Sequence, residues 1–120
     1  MKYTSDEIIK MDATQLRVAV AEAQGFANAY MDKNLGWCGY TSVGDRFRIP
    51  DPTIDIDAAM KLEKNAYENS GELIYVENLL EIVTGSWKIG DQIGLMAYFK
   101  IAHASAENRA RAWLMWKIGR

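Results

Sequence analysis

Near the start of the chain, apolar residues recur at three- and four-residue steps. Leu16, Ala19, Val20 and Ala23 form one stripe, and Arg17 and Glu22 lie opposite it. Thr4 followed by Glu7 has the form of a capping box, Asp12 offers a second start before QLRVAVAEAQ, and Gly25 is a stop. These signals predict a helix over about residues 5–24, with a break near Asp12. From Gly25 to Thr53 the helical period gives way to glycines and aromatics. Gly36, Trp37, Gly39, Tyr40, Phe47 and Ile49 predict a short hairpin turning near Gly44 and Asp45, with Pro50 and Pro52 at its exit. Asp55 or Asp57 then caps an amphipathic helix through IDAAMKLEKNAYEN that stops at Gly71. Ile56, Ala59, Met60 and Tyr67 share one side of it, and Glu63 is a polar exception on that side.

Period alone leaves ELIYVENLLEIV open between helix and strand. It follows a helix stop, carries Ile74, Tyr75, Val76, Ile82 and Val83, and ends at Gly85, so a strand is expected. After the loop SWKIGDQ, the run IGLMAYFKIA predicts a second strand, with Gly94 marking a bulge. Ser105 caps a last helix, AENRARAWLMWKI. The expected order is helix, hairpin, helix, hairpin, helix. That order describes a single α+β domain over residues 1–120: three helices on the faces of a mostly antiparallel sheet of about four strands, a layered α/β/α sandwich.

Composition narrows the class. The chain has 120 residues, 49% of them hydrophobic and 25% charged, so it is rich enough in apolar side chains to build a core. Fourteen basic against sixteen acidic residues leave a charge of −2, which gives no general attraction to duplex nucleic acid or an anionic membrane. No apolar run approaches the roughly 18 residues of a spanning helix, and MKYTSDEIIK lacks the apolar stretch of a signal peptide. A soluble protein that stays in the cytoplasm is expected. One cysteine, Cys38, excludes an internal disulfide, and one histidine, His103, leaves too few soft ligands for a tetrahedral zinc site.

Candidate chemistry is sparse. Cys38 and His103 are the one thiol and imidazole pair, but Cys38 sits between Trp37 and Gly39 in an apolar strand context that suits a buried thiol, so no cysteine hydrolase is expected. Asp51, Asp55 and Asp57 lack the framework of a calcium loop and read as caps and solvated acids. The glycines form neither a P-loop nor a dinucleotide fingerprint. No catalytic group, metal or cofactor is expected. HASAENRARAW is of more interest: Asn108 and Arg109 open a helix, where free amides, the helix dipole and a guanidinium favour an anion. Arg111 stands about 200° around the axis from Arg109, so one subunit does not aim both at one ligand. Four Trp and six Tyr exceed what a small core takes up, and Trp116 and Met115 lie off the main apolar side of the last helix. Oligomerisation is the economical expectation.

Three stretches carry a resemblance. LRVAVAEAQGF, PDPTIDIDAAMKLEK and HASAENRARAWLMW resemble the helix-to-glycine start, the proline-led middle helix and the final strand-to-helix turn of phage NinX-like and phage helix-sheet-helix sandwich domains. Within that group the chain is similar to the Thoeris anti-defence sponges, which sequester glycocyclic ADP-ribose made by bacterial TIR enzymes; some of them also hold cyclic trinucleotides. The resemblance implies a phage anti-defence protein of the host bacterial cytoplasm that binds a cyclic nucleotide signal without cleaving it, as a homo-oligomer from a dimer to a hexamer. It implies Arg109 as a phosphate-gripping arginine, with Asn108 and Ser105 beside it and Arg111 serving a different edge of a shared pocket. Arg46 or Arg48 would supply a second charge, and Phe99 and Trp116 would stack on adenine. Arg109→Ala is then expected to abolish binding with little change in melting temperature. The alternative is a phage accessory or adaptor protein that binds a host protein through an exposed apolar patch at Trp116 and Met115.

Overall fold

Two capping boxes in succession make two helices of the first predicted one. In the computed structural model, which describes residues 3–85, 87 and 91–119, Thr4 Oγ1 accepts from the Glu7 amide while Glu7 Oε1 accepts from the Thr4 amide. Asp12 and Gln15 repeat the exchange at 2.8 and 3.1 Å. Helix α1 (Ser5–Lys10) therefore ends where α2 (Ala13–Ala23) begins. Leu16, Ala19 and Val20 of α2 are fully buried, as their spacing requires.

The aromatic and glycine segment forms a three-stranded antiparallel meander: β1 (Ala27–Asp32), β2 (Gly36–Tyr40) and β3 (Arg46–Arg48), in that order. The turn at Gly44 is where the sequence places it, and Gly44 takes a φ of +87° that favours glycine there. Cys38 is wholly buried at the centre of β2. Helix α3 (Ile56–Glu68) starts at Asp55, whose carboxylate accepts from the amides of Asp57 and Ala58.

The second expected hairpin is absent, and so is the four-strand sandwich built on it. ELIYVENLLEIV lies in helix α4 (Glu72–Thr84), and LMAYFKIA forms helix α5 (Leu95–Ala102). The residues expected in the loop SWKIGDQ fall partly outside the described chain. As a helix, α4 gathers Tyr75, Leu79 and Leu80 on its buried side and turns Glu72 and Glu81 outward. Gly85 is its left-handed C-terminal stop at φ +73°, its amide donating to the Glu81 carbonyl. In α5, Leu, Met, Ala and Lys are good helix formers, and Ala97 and Ile101, one turn apart, are its more shielded positions.

Helix α6 (Ala106–Ile118) is the axis of the molecule. Helices α1 to α4 pack around it, and all eight residues from Arg109 to Trp116 are buried. A helix enclosed on every side has no solvent face to reveal by periodicity. Trp116 and Met115, expected to need an external partner, are covered from within the chain. The sheet hangs from α2, with Trp37, Ile49 and Ala21 forming a small second core. No helix among the described residues is long and apolar enough to cross a membrane.

Candidate functional site

The arginines at the start of α6 are committed to the protein. Arg109 Nη1 donates to Glu63 Oε1 at 2.8 Å, Nε to the Ala104 carbonyl at 3.2 Å, and Nη2 to the Ile101 carbonyl at 3.1 Å. Arg111 Nε donates to the Ile8 carbonyl at 3.2 Å, Nη2 to the Met11 carbonyl at 2.7 Å, and Nη1 to Asn108 Oδ1 at 2.8 Å; Glu107 lies 3.1 Å away. Both are buried. Each guanidinium satisfies the carbonyls at the end of a neighbouring helix, α5 for Arg109 and α1 for Arg111. Their angular separation on α6 sends them to these two different helices. Glu63 lies beside the buried Ala59, Leu62 and Ala66 of α3; of the side expected from sequence to be apolar, Ile56, Met60 and Tyr67 are exposed and Ala59 alone is buried.

The pair lies near a buried phenol, Tyr75. Burial raises the Tyr75 hydroxyl well above its usual range, the Glu63 carboxylate adds to the rise, and Arg109 opposes it. An unfolded tyrosine titrates near pH 10. The folded chain therefore holds the Tyr75 proton where the unfolded chain has released it, and stability from this group, complete below about pH 10, is lost as pH climbs above that value. Urea unfolding followed between pH 8 and pH 11 is expected to show a shallower alkaline loss in Tyr75→Phe than in the parent chain; equal slopes would contradict this.

A groove of about 390 Å³ lies between α4, the end of α5 and the first turn of α6. It brings together Phe99, Ser105 and Asn108 of the expected site with Lys100 and His103. Phe99 and His103, one turn apart, stack with ring centroids 4.2 Å apart, and His103 Nδ1 donates to the Phe99 carbonyl at 2.9 Å. Ser105 Oγ accepts from the Asn108 amide at 3.1 Å, which spends the hydroxyl on capping α6. The first-turn amides of α6 have no acceptor within the helix. The groove thus offers an aromatic face, an ammonium and a positive helix end, a set that suits a small anion bearing a ring.

The other expected residues lie elsewhere. Trp116 is buried against Gly71 in the core, away from solvent. Arg46 and Arg48 belong to β3. Arg46 Nη1 donates to Tyr30 Oη at 3.0 Å and lies 3.8 Å from Asp32, whose carboxyl is held below its usual range by the amides of Asn34 and Leu35 and then by Arg46. The Arg48 side chain has no hydrogen-bond or ion-pair partner among the described residues and lines a separate groove of about 510 Å³ with Trp37, Ile54 and Asp51. Asp51 there is paired to Arg17 at 2.6 Å. Among the described residues no three His, Cys, Asp or Glu side chains gather as metal ligands.

No family model, curated protein or solved structure matches the chain. Lys100 and His103 were missed by sequence reasoning because a strand places Phe99 and Lys100 on opposite faces, and His103 lay past its end. A helical reading of YFKIAH would have set Phe99 and His103 one turn apart.

Proposed function

We propose that the chain is a non-catalytic nucleotide-binding protein: a phage anti-defence sponge that holds a cyclic nucleotide signal of the glycocyclic ADP-ribose kind, uncleaved, in the groove between α5 and α6. It works in the host bacterial cytoplasm as a homo-oligomer. The observation that carries this reading is the meeting of Phe99, Lys100, His103, Ser105 and Asn108 around one groove. An adenine ring has an aromatic face to lie on, and a phosphate has the Lys100 ammonium and the α6 amides. Arg109 acts here as a positioning residue, because it anchors the end of the helix that carries Phe99 and Lys100. A sponge needs affinity without chemistry, and Ser105 and His103 are both tied to backbone groups. The adaptor alternative required an exposed patch at Trp116 and Met115, and both are buried.

Isothermal titration of the purified chain with glycocyclic ADP-ribose tests this. Binding with intact ligand recovered after heat denaturation is expected, and Lys100→Glu, an exposed change, is expected to weaken binding about tenfold or more with an unaltered melting temperature, as for one lost charge-assisted contact. Absence of binding heat would overturn the ligand assignment, and recovery of cleaved products would overturn the non-catalytic one.

A further inference from the structure

Helix α5 is the most apolar helix of the chain relative to what it covers. Of its eight residues, LMAYFKIA, none is buried, and Lys100 is its one charge. Leu95 is 88% exposed, Met96 67%, Tyr98 58% and Phe99 57%. At about 100° per residue, Ala97 and Ile101 fall on one side, and Leu95, Tyr98, Phe99 and Ala102 fall on the other at steps of three, four and seven. The less exposed side is that of Ala97 and Ile101. The outer stripe has the spacing of a helix face built for a second helix.

We infer that this outer face is a subunit interface, at which a second copy of the chain packs its own α5 against α5 across a two-fold axis. Three observations favour a second copy as the occupant. The stripe carries no charge, and Lys100 lies well off its centre, so the face meets its own image without repulsion, as a two-fold contact requires. Its three large side chains, Leu95, Tyr98 and Phe99, are each more than half exposed and leave roughly 400 Å² of surface open, within the range of the largest patch a monomer leaves bare and about half of the about 800 Å² each partner gives to a stable interface. Two turns of helix, about 12 Å, are also the length over which two crossing helices touch. Phe99 belongs both to the stripe and to the groove, so the partner's α5 would form the groove's open wall. That last point rests on the proposed ligand reading; the interface does not.

Analytical ultracentrifugation of the full chain, over a wide concentration range, is the test. The expected mass is two copies of the 13.6 kDa chain or an even multiple of that. Leu95→Glu with Tyr98→Glu, both at exposed positions, is expected to halve the assembly while keeping the parent's circular dichroism and melting temperature. Tyr98→Cys is expected to oxidise to a covalent dimer, whereas Val43→Cys, exposed on the sheet side, is not; Cys38 is buried and does not interfere. A parent chain that sediments as a monomer throughout, or a double variant that assembles like the parent, would overturn the inference. A parent dimer that shows no heat with glycocyclic ADP-ribose supports the interface and overturns the ligand reading alone.

Discussion

Arg109→Ala is expected to lower stability by about 3 kcal/mol, the low end of the loss when one partner of a buried ion pair is removed. For a chain of this length that corresponds to a fall of roughly 10 °C or more in melting temperature. The loss has two sources. Glu63 would keep a carboxylate in a site where it is largely shielded from water, beside Tyr75, and the α5 end would lose the donor that its Ile101 and Ala104 carbonyls share. This replaces the expectation, drawn from sequence, that the substitution leaves the melting temperature nearly unchanged. Thermal unfolding by circular dichroism measures the sum, and Arg109→Met with Glu63→Met separates the parts. Removing both charges relieves the stranded carboxylate, so the double variant is expected to regain part of the loss. The anchoring of α5 is not regained, which amide hydrogen exchange in residues 95–102 would report as faster exchange. A single variant as stable as the parent would show that the pair and the carbonyl contacts contribute nothing net.

Gly71→Ala is expected to cost about as much, roughly 3 kcal/mol, the upper part of the usual range for overpacking a core. A Cβ at Gly71 would collide with Trp116 Nε1 and Cε2 and would lie 2.8 Å from Cζ2, well inside contact distance. Trp116 is enclosed by the main core, so neither the indole nor the helix start can retreat cheaply. Gly71 has a φ of −102°, which any residue adopts, so the cost is steric and not conformational. Gly85→Ala is the contrast: its φ of +73° strains an alanine, but nothing lies within 4 Å of the added methyl, and a loss of about 1 kcal/mol is expected. Urea unfolding of both variants checks the order. If Gly85→Ala proved the more damaging, the packing of Trp116 on the start of α4 would not be as tight as the distances imply.

Local chemistry determined much of this protein. The capping residues Thr4, Asp12, Asp55 and Ser105, the turn at Gly44 and the buried stripe of α2 were legible because each depends on side chains a few residues apart. The identity of residues 72–84 and 95–102 was not legible. A run such as ELIYVENLLEIV satisfies strand and helix propensities about equally, and the choice turns on whether its apolar residues meet a sheet or a helix. Here they meet α6, with Asn78 Nδ2 donating to the Ala112 carbonyl at 3.3 Å, and the helix prevails.

The roles of the arginines divide in the same way. Sequence placed Arg109 and Arg111 at the opening of a helix and set them on different sides of it, since that is a consequence of 100° per residue. Only the tertiary structure decided what they face, because their acceptors lie up to 103 positions away in the chain. Of the expected site residues, Phe99, Ser105 and Asn108 converge on one groove, while Trp116 enters the core and Arg46 and Arg48 go to the sheet. Spacing along the chain specifies which residues share a helix turn; which residues share a pocket is settled by how helices far apart in sequence pack around α6, and that long-range packing is set by shape and burial summed over the whole core.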